Sequence, residues 1–269
     1  MTSPAAKMPT LFIPHGGGPC FFMDWTRGPA DSWDKTADYL RSILPSLPQP
    51  PKAILVISGH WEEPQFTVTS GASPALIYDY NGFPEHTYQL RYDAPGAPAL
   101  AQHVRDLLGE AGITSASDPA RGWDHGVFIP LKVAFPAADI PVVQLSLKVG
   151  LDPDEHAAAG RALAQLRDEG VLIVGSGMSF HNMRGFGDPR FSPVSDEFDV
   201  WLTEAVEKSP QDRDGALAAW SSAPAGRLSH PREEHLLPLM VAAGASEGPG
   251  AKVFSDRVME TTLSAYQFD

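Results

Sequence analysis

The chain has 269 residues, of which 43% are hydrophobic, so it can bury a substantial core as one large domain or two small ones. Its formal net charge of −13 argues against nucleic acid or an anionic membrane surface as partner. A single cysteine, Cys20, excludes a disulfide framework and a thiolate metal cluster and fits a reducing cytoplasm, and no apolar run reaches the roughly 20 residues that span a bilayer.

The N-terminal MTSPAAKMPT has no apolar core of the kind an export signal needs. The short apolar run Leu11-Phe12-Ile13 then predicts a buried strand, which ends at Pro14 and delivers His15 into Gly16 to Gly18. A helix is expected from Asp31 to Leu44, closed by Pro45, and Ser46 to Pro51 reads as a rigid connector. Ala53 to Ser58 (AILVIS) predicts a second strand, followed by Gly59-His60-Trp61. Phe66 to Thr69 alternates and is β-branched, as a strand would be. Tyr78 to Pro84 (YDYNGFP) is aromatic and turn-rich, hence a loop, and a short strand is expected at Gln89 to Tyr92.

Pro98 to Gly112 has helical spacing at Leu100, Val104, Leu107 and Leu108. The loop Gly122 to Gly126 holds His125, and a short buried helix follows over Val127 to Phe135. A strand is expected at Pro141 to Leu147, then a helix from the Asp152-Pro153 cap to Glu169. Val171 to Val174 is the third buried strand, with Gly175, Gly177 and His181 behind it. Helices are predicted over Ser195 to Glu207, Asp212 to Trp220 and Pro231 to Ala243, and a last strand over Lys252 to Val258. Strands alternating with helices favour a single α/β domain covering residues 1–269, with a central, mostly parallel or mixed sheet flanked by helices and a cleft at the strand ends.

Nine histidines carry the chemical signal. His103 and His156 read as solvated helix-face residues, and His86 has no assigned role. His15, His60, His125 and His181 each sit among glycines and apolar residues beside a strand or a buried helix, and His235 falls in the late helix with Arg232 on its face and His230 at its cap. Imidazole is the commonest protein metal ligand, and with one thiol in the chain a site of nitrogen and oxygen donors is expected. Such a site suits a divalent ion such as Fe(II), Zn(II), Mn(II) or Cu(II), with ligands drawn from distant parts of the chain, because no HExxH motif is present. His15-Gly-Gly-Gly also resembles the oxyanion loop of esterases, but Gly177 occupies the nucleophile position of GSGMS, although Ser176 and Ser179 are nearby.

Together IPHGGGP, ISGHWE, YDYNGFP, DHGVFIPL, GSGMSFHN and HPREEHLLPL resemble the class III extradiol ring-cleaving dioxygenases, in the subgroup with DOPA 4,5-dioxygenases, over Pro9 to Phe254. The resemblance implies one α/β domain, a mononuclear non-haem metal, and opening of a catechol ring with both atoms of O2. It implies His15, His60 and His235 as metal ligands, His181 as acid/base or fourth ligand, and His125 as a contact to substrate or oxygen. A third histidine in place of a carboxylate at His235, with Glu234 beside it, makes zinc a candidate occupant as well as Fe(II) for turnover. The resemblance implies a small aromatic diol and O2 as partners. Trp61, Trp123 and the Tyr78 to Phe83 loop are expected to wall the pocket. The alternatives are a zinc hydrolase or amidase on the same scaffold and a non-catalytic metal-binding relative. The sequence leaves open whether the chain forms a homo-oligomer.

Overall fold

Three apolar runs that are buried on both faces form the middle of the sheet. In the computed structural model, which describes residues 6–269, they are β1 (Thr10–Pro14), β2 (Ala53–Glu63) and β6 (Val171–Gly177). The others are β3 (Phe66–Thr69), β4 (Ser115–Asp118), β5 (Val142–Lys148), β7 (Gly250–Val258) and β8 (Thr261–Phe268). Among the described residues they make one eight-stranded sheet in the order β4-β3-β5-β2-β6-β1-β8-β7. β5, β2, β6 and β1 run parallel, and β3, β4, β7 and β8 complete a mixed sheet at its two edges.

Strand alternation divides the core into two layers. Phe12, Leu55, Ile57, Val143, Leu145 and Ile173 face one side. There they meet α2 (Pro98–Glu110), α4 (Pro153–Leu163), α5 (Ser192–Val206), α6 (Pro210–Ala218) and α8 (Leu237–Gly244). Leu11, Ile13, Ile54, Val56, Leu172 and Val174 face the other, against α1 (Asp34–Ser46) and α3 (His125–Ala134). A one-turn helix, α7 (Gly226–Ser229), precedes the segment that carries His230 and His235. The single α/β domain with helices on both faces of a mixed sheet is as expected from the sequence.

Several local expectations are corrected. The predicted strand at Gln89 to Tyr92 does not form: a 3-10 turn over Glu85–Gln89, whose Thr87 carbonyl accepts from Tyr80 Oη (2.6 Å), runs into irregular backbone at 90–92. The helix expected to reach Glu169 ends at Leu163 and tightens to a 3-10 turn over Ala164–Arg167. The late helix does not start at Pro231: residues 230–236 are a turn, and α8 begins at Leu237. His156 is not solvated but fully buried, donating from Nδ1 to the Asp152 carbonyl (2.6 Å) and accepting from Lys148 N (3.2 Å). It ties the start of α4 to the end of β5, while Asp152 caps α4 at Glu155 N (3.0 Å) as predicted. His103 is half-buried beside Glu169 (3.1 Å). Strands β4 and β8 were not anticipated. The residues Met1 to Ala5, part of the stretch read as lacking an export signal, lie outside the described residues.

Candidate active site

The cleft opens at the carboxyl ends of β1, β2 and β6, where β6 lies between β1 and β2. His15 follows β1 directly and His60 sits near the end of β2. His181 lies four residues beyond β6, its backbone N–H donating to the Ser229 carbonyl (3.0 Å). His125 is the first residue of α3. His235 arrives on the 230–236 turn, which lies flat against the strand ends. Two glycines make that possible: a Cβ at Gly59 would sit 3.0 Å from the Glu234 carbonyl oxygen, and one at Gly177 would collide with that of His235. Met178 N donates to the same His235 carbonyl (3.0 Å). The glycines that punctuate the strand ends thus admit a protein segment as well as a ligand.

Five histidines line one cavity of about 330 Å³. His15 Nε2 lies 3.3 Å from His60 Nε2, which lies 3.1 Å from His235 Nε2. Each ring has its other nitrogen turned to an acceptor. His15 Nδ1–H donates to the Gly16 carbonyl (2.8 Å) and His235 Nδ1–H to Glu234 Oε1 (3.0 Å), while His60 Nδ1 lies 3.4 Å from Asp79 Oδ2. Carbonyls and ionised carboxylates only accept, so the protons sit on Nδ1 and three Nε2 lone pairs converge with no proton among them. Such an arrangement repels itself unless a cation lies between the nitrogens, and imidazoles braced at the far nitrogen are the usual form of metal-ligating histidine. His15, His60 and His235 could therefore hold a metal ion, and three nitrogens match the borderline divalent ions.

The electrostatics agree. Burial, reinforced by neighbouring imidazoles, holds His15 and His235 well below the ordinary histidine value, and burial with His125 nearby brings His60 down to about 4. All three are neutral at neutral pH and ready to ligate. Two carboxylates stay ionised behind them. Burial alone would raise Asp79, but the bonds and charge of His125 outweigh it and lower it to about 2. Burial opposes ionisation of Glu234 too, and hydrogen bonding by His181 and His235 wins, holding it well below the usual carboxylate range.

Each carboxylate serves a pair of histidines. Asp79 Oδ1 accepts from His125 Nδ1 (2.8 Å) and from its backbone N–H (2.9 Å) while Oδ2 faces His60. Glu234 Oε1 lies 3.4 Å from His181 Nδ1, and the His181 ring stacks on His235 at 3.4 Å with 15° between planes. Further back, the fully buried Asp124 accepts from Ser58 Oγ (2.7 Å), Arg121 Nη2 (3.1 Å) and Gln144 Nε2. Ser58 Oγ in turn accepts from His60 N (3.2 Å), so this network fixes the backbone at both His60 and the start of α3.

The five histidines singled out in the sequence are thus brought together, and His86, His103, His156 and His230 are not among them. His230 is fully buried and donates to the Ser179 carbonyl (2.9 Å) instead of facing the cleft. Tyr80, Asn81 and Phe83 of the aromatic loop do line the cavity, but Trp61 and Trp123 do not. Trp123 is a core residue and Trp61 packs under Arg121 (5.0 Å), so the walls are completed by Trp25, Trp33 and Phe186. Ser176 and Ser179 are committed to the Gly126 carbonyl and to Ser264 N, and neither lines the cavity, which removes the esterase-like reading. Asp79 and Glu234 had no assigned roles. The signal that could have found them is a carboxylate adjacent in sequence to a cavity aromatic or a ligand histidine.

Residues 9–267 match the family described as the catalytic LigB subunit of aromatic ring-opening dioxygenase. The chain belongs to this family. Among LigB-family relatives, it is 44% identical over 199 residues to a 4,5-DOPA dioxygenase extradiol of Beta vulgaris, covering 73% of this chain and 74% of that one. It is 36% identical to a 4,5-DOPA dioxygenase extradiol of Escherichia coli, covering 91% and 87%. It is 37% identical to the dioxygenase tasH of Hapsidospora irregularis, covering 96% and 84%. A solved structure of an uncharacterized protein from Escherichia coli K12 superposes with a TM-score of 0.74 at 30% identity, covering 98% of this chain and all of that one. The class III extradiol resemblance read from the sequence motifs is thereby confirmed.

Proposed function

We propose that the chain is a non-haem, metal-dependent extradiol dioxygenase that opens the ring of a catechol and places both atoms of O2 in the product. The observation that carries the reading is the convergence of three unprotonated Nε2 atoms beside two further histidines, each backed by a carboxylate, in a cavity lined by aromatic side chains. Membership of the LigB family and relatives named for DOPA dioxygenation support it.

A divalent ion held by His15, His60 and His235 would supply Lewis acidity and, as Fe(II), the electron-transfer chemistry that O2 requires. The rest of the work falls to the chain. Trp25, Trp33, Tyr80 and Phe83 hold the ring, which turns a chance encounter into a positioned reaction. His181, with Nδ1 facing Glu234, offers Nε2 as the base that takes a proton from a catechol hydroxyl and later returns one. His125 has its Nδ1–H committed to Asp79, so it can meet the substrate only through Nε2; once that nitrogen has taken up a proton, the imidazolium, paired with Asp79, would donate Nε2–H to the developing oxyanion. The apolar lining keeps bulk water from the opening ring.

The test is anaerobic purification, removal of metal, and reloading with Fe(II) or Zn(II) before catechols are offered. O2 uptake with a yellow ring-opened product only in the Fe(II) form, and both atoms of labelled O2 in that product, is the expected result. One ion per chain and no uptake with any metal would instead favour hydrolysis through zinc or a binding role.

A further inference from the structure

The cavity lining has a charge pattern at odds with the chain. The protein carries 33 acidic against 20 basic residues, yet none of the residues that line the cavity is Asp or Glu. Arg27 is the single Arg or Lys among them. It is exposed and rests with its guanidinium carbon 5.2 Å above the centre of the Phe83 ring. Among the described residues its side chain neither hydrogen-bonds nor pairs with a carboxylate. Arg232, near the same strand ends, is by contrast saturated by Glu62 through two 2.6 Å contacts.

Arg27 also sits at a definite place relative to the histidines. The Tyr80 ring lies 5.7 Å from that of His125, Phe83 lies 5.6 Å from Tyr80, and Arg27 covers Phe83. These contacts form a series from His125 through Tyr80 and Phe83 to the exposed Arg27. A catechol bound with both hydroxyls at the histidines would place a substituent para to one of them on the far side of the ring, where Arg27 lines the same cavity. A guanidinium lying on an aromatic face keeps its edge N–H groups free, and that edge matches a carboxylate in a bidentate, charge-assisted pair.

We propose that Arg27 is an anion-binding subsite at the mouth of the cavity, selecting catechols whose short side chain ends in a carboxylate. This rests on the ring-cleavage reading above. Because no acidic side chain lines the cavity to receive an ammonium group, a simple catechol acid is preferred to a catechol amine, and a zwitterionic side chain falls between them.

The experiment compares the Fe(II)-loaded protein on 3,4-dihydroxyphenylpropionate, 4-ethylcatechol and dopamine, which differ in side-chain charge on one ring. The expected kcat/KM order is acid, neutral, amine, with about a tenfold step from neutral to acid carried by KM. Arg27→Gln brings the acid-to-neutral ratio close to one, and Arg27→Glu places the amine above the acid. A wild-type ratio near one, or a ratio unchanged in Arg27→Gln, overturns the proposal. The tryptophan fluorescence of the metal-free protein, with Trp25 and Trp33 in the lining, gives binding of the same compounds without turnover. If no catechol consumes O2, ring cleavage fails, and the subsite then stands or falls on whether the acid still binds more tightly than the neutral compound in wild type but not in Arg27→Gln.

Discussion

The two ends of the central strands bury polar side chains in opposite ways. At the amino ends of β1 and β6, Arg167 is 1% exposed and donates to the carbonyls of Met8 (2.7 Å) and Ala245 (3.1 Å). Past the end of α8, Arg213 is equally buried and donates to Ala243 (2.7 Å), Ser246 (3.0 Å) and Gly248. Those cations are matched by backbone carbonyls of the chain itself, so their job is finished within the fold. At the carboxyl ends, His15, His60 and His235 turn lone pairs at one another and complete nothing. Burial is costly in both places, but only one of them is left needing something from outside the chain.

Exchanging the two kinds of residue gives the largest expected contrast. His15→Ala or His60→Ala should abolish stoichiometric metal binding and with it detectable O2 uptake, while the metal-free protein keeps its melting transition within a few degrees. Arg213→Met should do the reverse: metal content stays at one per chain and stability falls by about 3 kcal/mol, since the carbonyls of Ala243, Ser246 and Gly248 each lose a charged N–H donor. Metal analysis beside denaturant unfolding reads both. A stable Arg213→Met, or a His15→Ala that still holds its ion, would erase the distinction.

Smaller effects separate the histidines within the site. His181→Ala should keep the metal and lower kcat by about a thousandfold, the size of a lost acid/base group. Retention of full activity would remove His181 from the proton path. Glu234→Gln should weaken metal binding by about 10- to 100-fold, because the His235 Nδ1–H loses its charged acceptor. Competition with a chelator of known affinity measures that shift. Since Glu234 faces His181 as well, the same variant should lower kcat even at saturating Fe(II).

How much of this was legible in the sequence depended on the range of the interaction. His15, His60 and His181 could be read because a strand end is a local pattern: an apolar run, then glycines close to a polar side chain. His235 stands out in the expected late helix and takes its metal role from the family motif, but that helix begins only at Leu237, past His235. The turn at 230–236 is held by contacts to Gly59, Gly177 and Met178, which no local spacing reveals. His156 looked solvated because its sequence neighbours are polar, whereas its burial comes from β5 and Phe66 across the sheet (5.2 Å between rings). Asp79 stayed hidden in a loop whose tyrosines dominated the reading, and its role appears only when His60 and His125 arrive from 19 and 46 residues away in sequence. Strand β8 was missed because its partners β1 and β7 lie on opposite sides of it in the sheet, so its burial is set by both at once.

One histidine tests the boundary between the two kinds of burial. His230 is fully buried, its Nε2–H fixed on the Ser179 carbonyl and its ring against Phe198 (5.3 Å) and Trp220 (6.0 Å), yet among the described residues Nδ1 has no partner. Burial lowers it to about 3, against the donated hydrogen bond that raises it. The unfolded chain takes up a proton there near pH 6.5, and the folded chain does not until about pH 3. Between those values the unfolded state binds more protons, so this group makes stability fall as pH drops, by about 1.4 kcal/mol per pH unit. His230→Gln should therefore lower stability at pH 7.5 through lost packing, yet flatten the slope of stability against pH between 6 and 4.5 by about one proton's worth. Denaturant unfolding of the metal-free protein at several pH values measures that slope with the ligand histidines unchanged. An unaltered slope would mean that His230 does not stay neutral when folded. It would then belong with the saturated arginines and not with the buried imidazoles that resist a proton.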